Sequence, residues 1–172
     1  RPARPNLIII LSDDQRWDTT DATHSLDGTT PVMPNVETRL AAAGVKFTNA
    51  FVSTALCCPS RSSILKGQYA HTTGVFTNTQ PLGGAPNFDD TSSLATWLHD
   101  AGYRTGLFGK YLNGYNTLWT APAPPYVPPG WDEWHAFKAP RYYDQTLVEY
   151  GAGHPTPTEV LYPSTCTNYT GC

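Results

Sequence analysis

Leu7-Ile8-Ile9-Ile10-Leu11, stopped by Ser12-Asp13-Asp14, constrains the fold more than any other stretch of this chain. Five aliphatic residues without polar alternation read as a strand buried on both faces, as in a parallel sheet. Two later stretches share one grammar. Pro34 to Ala43 places Val36, Leu40 and Ala43 at helical spacing, stops at Gly44, and resumes as the β-prone Val45 to Phe51. Asp90-Thr91 begins a second helix carrying Leu94, Trp97 and Leu98, and Gly102 ends it before a strand from Tyr103 to Phe108. A glycine past a helix supplies the left-handed residue that lets the chain reverse. Helices alternating with strands imply an α/β fold with crossover connections.

Beyond Lys110 the texture changes. Nine of the sixteen prolines follow residue 120, among many aromatics. We expect turns and extended segments there, with Trp131, Trp134, Phe137, Tyr142 and Tyr143 covering an edge of the core as an ordered surface lobe. The aromatic cluster from Tyr126 to Tyr143 is read as packing in preference to a sugar-stacking wall. The formal charge of −3 argues against a nucleic-acid binder, which needs a basic patch. The run Leu7–Leu11 is too short to span a bilayer, so no transmembrane segment is expected. Arg1-Pro-Ala-Arg-Pro is expected to be a mature or trimmed end, with no secretory signal beginning the chain.

Of the four cysteines, Cys57 and Cys58 are adjacent, a geometry that strains a disulfide. Cys166 and Cys172 are spaced to close a small loop, and Asn168-Tyr169-Thr170 between them fits a glycosylation sequon. Both features suit an oxidising compartment. Zinc is not expected, because none of its usual ligand spacings occurs.

Three places carry candidate chemistry. Asp13 and Asp14 follow the first expected strand, where open α/β sheets bind ligands, and paired carboxylates suit a hard cation; the plain alternative is a turn and helix start. Pro59 suits the first turn of a helix over Ser60 to Leu65, with Cys57 just ahead of it. Free amides there, with the planar fork of Arg61, favour an anion such as a sulfate or phosphate ester. Lys110 ends the later expected strand on the same ligand side. A thiolate phosphatase is disfavoured, since it needs arginine six residues after its cysteine and those positions hold Ser63 and Ile64.

The stretch Cys57-Cys58-Pro59-Ser60-Arg61, followed by Leu65-Lys66-Gly67, resembles the sulfatase signature, a C-x-P-S-R motif with an L-x-G turn. The resemblance implies an alkaline-phosphatase-like α/β fold with a mostly parallel sheet flanked by helices. It implies that a formylglycine-generating enzyme oxidises Cys57 to an aldehyde, whose hydrate attacks sulfur and then expels sulfate. Proline at plus two selects Cys57 over Cys58. Asp13, Asp14 and the modified Cys57 are the implied ligands of Ca2+. Arg61 and Lys110 are the implied stabilisers of developing charge. His71 and Asn113 are implied substrate contacts, His71 serving equally to hold its loop. Many sulfatases have histidine at position 112, which is Leu112 here. Gly109-Lys110-Tyr111-Leu112-Asn113, with Cys58 and Ser62-Ser63, instead resembles the N-acetylglucosamine-6-sulfatase branch, acting on 6-O-sulfated glucosamine in heparan-type glycans.

The expected function is therefore sulfuric ester hydrolysis on a sulfated carbohydrate or aryl sulfate, in a secreted, periplasmic or lysosomal-type compartment. The alternatives are a phosphate or phosphonate monoester hydrolase of related fold, and a non-catalytic glycan-binding or remnant domain. The resemblance covers residues 1–150, taken as the N-terminal part of a catalytic domain, with 151–172 a divergent segment. It spans about the first third of a sulfatase domain, so these residues alone are expected to have little or no activity. His24, His99, His135 and His154 show no spacing that suggests a site.

Overall fold

A computed structural model of the chain describes residues 4–20 and 27–163. The expectations for His24, Cys166, Cys172 and Asn168 fall outside those residues. The chain divides into two compact units, residues 1–51 and 52–172.

In the first unit the expected strand Leu7–Leu11 runs without ladder partners, and its side chains are exposed, Ile8 at 83%. The expected strand Val45–Phe51 is likewise unpaired, with Phe51 91% exposed. The physical reason is common to both. A strand is defined by its neighbour, and no strand is present among the described residues of this unit. The expected helix appears as a π-helical turn over Val36–Ala41, closed by the Ala42 amide donating to the Glu37 carbonyl at 3.0 Å. Lys46 pairs with Glu37 at 3.1 Å behind it.

The second unit carries helices α1 (Cys57–Lys66), α2 (Ala70–Thr73) and α3 (Leu94–Asp100). Its strands are β1 (Gly106–Gly109), β2 (Glu133–Phe137), β3 (Gln145–Gly151) and β4 (His154–Tyr162), in that spatial order. The α/β class expected from the sequence is therefore observed. Within these residues the sheet is mixed: β1 and β2 are parallel, while β2–β3 and β3–β4 are antiparallel.

α3 begins later than expected. Ser93 is its N-cap residue, and the Thr96 hydroxyl accepts the Ser93 amide at 2.9 Å. Asp90 is instead drawn away by the Tyr126 hydroxyl, which donates to it at 2.9 Å. Gly102, at φ +83°, closes the helix as expected, its amide bonding the His99 carbonyl at 2.8 Å.

The region expected as a surface lobe supplies three of the four strands and the centre of the core. Glu133–Phe137 alternates, so that Trp134 and Ala136 are buried between half-exposed neighbours. Trp134 is 0% exposed, packs edge-on to Tyr111 at 5.0 Å, and donates from Nε1 to the Tyr115 hydroxyl at 2.8 Å. That hydroxyl in turn donates to the Tyr126 carbonyl. Packing is thus the role of most of this aromatic cluster, although Tyr142 is fully exposed. β4 tolerates Pro155 and Pro157 because it has a neighbour on one side only; two residues apart, their missing N–H groups share one edge.

Candidate active site

α1 starts at Cys57, with Leu56 extended before it as the N-cap. The cysteine expected just ahead of the helix is thus its first residue, and Pro59 stands in the first turn, where its missing N–H costs nothing. The amides of a helix's first turn have no intrahelical acceptor. Here the Cys58 amide is satisfied by Asn78 Oδ1 at 2.8 Å. Nothing in the spacing of the sequence points to Asn78, twenty residues on, as the group that holds this helix start.

The two cysteines sit in different surroundings, and neither is in a disulfide. Cys58 is 0% exposed, whereas Cys57 keeps part of its surface in solvent. Burial pushes the Cys58 thiol above its ordinary value, and the backbone amides of Asn113 and Gly84 facing the sulfur offset only part of the shift. A buried, protonated thiol is a packing group and a poor nucleophile.

Arg61 follows Cys57 by four residues, so both occupy one face of α1. Its Nη1 donates to the Lys110 carbonyl at 2.7 Å. Lys110 follows β1, and Gly109 before it has φ +104°, a backbone conformation that a residue with a Cβ rarely adopts. The turn at Gly109 thereby brings the end of β1 to the Arg61 fork. The structure thus links Arg61 to the main chain of Lys110, with Cys57 one helical turn away from Arg61 on α1.

Asn113 lies in the same wall. Its carbonyl accepts the Ala85 amide at 2.7 Å, its own amide faces Cys58, and its Oδ1 is buried without a hydrogen-bond partner among the described residues. With Lys110, Asn116 and Lys138 it lines a cavity of about 170 Å³. Asn116 and Lys138 were not singled out from the sequence, because isolated polar residues in a proline-rich stretch carry no spacing signal. His71 is exposed on α2, its ring stacked on Tyr69 at 5.8 Å.

Asp13 and Asp14 lie in the first unit, both exposed, in a bend that ends the aliphatic run. Asp14 has φ +51°, a left-handed conformation that Asp tolerates better than most residues. Consecutive exposed carboxylates form an all-oxygen donor set, which fits a hard divalent cation such as Ca2+.

The family model named Sulfatase matches residues 5–154 of the chain. An extracellular sulfatase, the SULF-1 homologue of Drosophila melanogaster, is 40% identical over 151 residues, covering 86% of this chain and 12% of that protein. The N-acetylglucosamine-6-sulfatase of Homo sapiens is 35% identical over 150 residues, 84% of this chain and 26% of that protein. An arylsulfatase of Volvox carteri is 30% identical over 164 residues, 93% of this chain and 23% of that protein. The chain thus spans about a quarter or less of the length of these relatives. No solved structure gives a significant match. A family match over most of the chain, on top of the C-x-P-S-R helix start and its Arg61–Lys110 link, places the chain in the sulfatase family.

Proposed function

We propose that this protein is a sulfuric ester hydrolase acting on a sulfated sugar, with formylglycine derived from Cys57 as its reacting group. The carrying observation is the arrangement at the start of α1. Cys57 is accessible, its neighbour Cys58 is sealed in the core, and Arg61 on the same face is tied to Lys110 by the 2.7 Å bond. Among the relatives, the N-acetylglucosamine-6-sulfatase and the motif Gly109 to Asn113 favour a 6-sulfated glucosamine over an aryl sulfate. Maturation requires a formylglycine-generating enzyme as partner.

Arg61 and Lys110 stabilise the negative charge that gathers on the sulfate oxygens in the transition state. The hydrogen bond to the Lys110 carbonyl holds the Arg61 guanidinium against the backbone that carries Lys110. Asn113 and His71 contact the sugar around that centre. Asp13 and Asp14, with the modified residue 57 that the family resemblance implies, would hold Ca2+. The metal supplies Lewis-acid polarisation of the reacting oxygens when bound. The compartment is secreted, periplasmic or lysosomal in type. The relative described as extracellular supports that, and no helix among the described residues is long and apolar enough to cross a membrane.

Two measurements on protein co-produced with a formylglycine-generating enzyme test this reading. Peptide mass spectrometry should show the thiol-to-aldehyde mass loss at Cys57; modification at Cys58 instead would overturn the register. In the whole protein, replacing Arg61 or Lys110 by alanine should lower sulfate release from N-acetylglucosamine 6-sulfate by roughly 10²–10³. Preferential release of phosphate from the matching phosphate ester would favour the phosphatase alternative.

A further inference from the structure

The cavity beside Lys110 does not end there. Asn116 and Lys138 line it and also line a second, open groove on the surface beside it. One wall of that groove is Trp119, facing Pro124, Pro125 and Pro157. Trp119 is held in one orientation. Its Nε1 donates to Glu159 Oε1 at 3.2 Å, and its ring meets Tyr115 edge-on at 5.0 Å. The other oxygen of Glu159 accepts Lys138 Nζ at 2.7 Å. The groove therefore combines a fixed indole and proline rings with an ammonium–carboxylate pair.

That combination selects for one kind of occupant. A bare anion would meet the Glu159 carboxylate. A purely apolar group would strip water from an ion pair and give nothing back. A pyranose offers both parts, an apolar C–H face for the indole and a rim of hydroxyls. The ammonium keeps donors, and the carboxylate lone pairs, that their mutual contact leaves unused. An aryl group beyond the sulfate would satisfy the indole and leave the ion pair unserved.

We infer that the Trp119–Lys138–Glu159 groove is a second sugar subsite, so that the substrate is an oligosaccharide held across at least two rings. This rests on the sulfatase reading above for the ring at Lys110. Lys138 and Asn116, common to both cavities, mark where the linkage between the two rings passes.

The test uses the 172-residue chain and ligands without sulfate, which separates the groove from the reaction. Indole N–H resonances are followed while adding chitotetraose, a glucuronate–glucosamine tetrasaccharide, or N-acetylglucosamine alone; Trp119→Phe assigns the reporter. Either tetrasaccharide should shift the Trp119 resonance, and should bind about tenfold more tightly than the monosaccharide. Trp119→Ala and, separately, Lys138→Ala should each weaken that binding by about tenfold. Lys138→Ala leaves the aromatic core untouched, so its result stands even if Trp119→Ala unfolds the unit. Neither tetrasaccharide shifting Trp119, or binding unchanged in Lys138→Ala, would overturn the inference. If the whole protein, matured at Cys57, releases no sulfate from N-acetylglucosamine 6-sulfate while the 172-residue chain still binds the tetrasaccharide at Trp119, the reaction proposed above falls and the subsite stands.

Discussion

Cys58 is packed against the amides of Asn113 and Gly84 with its own amide on Asn78, while Cys57, one residue earlier, still meets solvent. The contrast has a direct chemical readout. Burial raises the Cys58 thiol above its ordinary value of 9.0, so at neutral pH it holds its proton and is shielded besides. Iodoacetamide should label Cys57 of the unmodified protein well before Cys58, followed by peptide mapping; equal labelling would contradict the burial. Stability should divide the same way. Cys58→Ala removes a fully buried sulfur from the core, a loss of about 1–2 kcal/mol in urea unfolding. Cys57→Ala should stay within about 0.5 kcal/mol, as exposed substitutions do.

At the scale of elements, the parallel β1–β2 junction depends on a clamp just outside the ladder. Asp132 Oδ2 accepts the Thr105 amide at 2.8 Å and the Thr105 hydroxyl at 3.1 Å, and next to it Arg104 pairs with Glu133. The Thr105 amide bond is the main reason that the Asp132 carboxyl titrates below its ordinary 3.8; the Arg104 bond does the same for Glu133, ordinarily 4.5. For groups lowered in the folded state, the stabilisation is complete above the ordinary values and is lost as pH falls through the folded ones. Asp132→Asn should cost about 1 kcal/mol at pH 7, since its charged hydrogen bonds are partly open to water. The gap between variant and parent in thermal unfolding should close as pH drops below 3.8. A gap that persists in acid would show that Asp132 acts through shape alone.

These elements also show how far the sequence could be read. The α1 start was legible because proline, serine and arginine each impose a local requirement there, and Gly102 was legible as a helix end for the same reason. The alternation Glu-Trp-His-Ala-Phe was equally present at 133–137, but the prolines around it argued for loops. Those prolines, Pro128, Pro129 and Pro140, all fall outside the strand Glu133–Phe137 and interrupt no ladder bond, a boundary that composition alone does not mark. Leu7–Leu11 shows the reverse failure. Its composition suits a strand, yet pairing is a property of a neighbour, which no local pattern encodes. Asn78 and Lys138 were silent for a like reason, since each matters through a contact distant in sequence.

For the second unit as a whole, the core and the candidate active site are one mechanical problem. Trp134 stands opposite Leu107 of β1 and Tyr150 of β3, and it touches Tyr111 and Tyr115 in the segment that follows Lys110. The same indole thus supports the strand that ends at Gly109 and the wall that carries Asn113. Trp134→Ala should cost about 3–5 kcal/mol, as emptying an aromatic core position does. That is a large share of the stability of a domain this size, and the Arg61–Lys110 link should go with it. Trp134→Phe separates packing from hydrogen bonding. It keeps most of the ring contacts and loses the 2.8 Å bond to the Tyr115 hydroxyl, a loss of about 1 kcal/mol. The phenylalanine variant should keep the native near-ultraviolet dichroism and the selective labelling of Cys57, while the alanine variant should lose both. If Cys58 stays protected from iodoacetamide in Trp134→Ala, the helix start is held by Asn78 and its neighbours independently of the aromatic core. The core and the candidate active site would then be separate cooperative units.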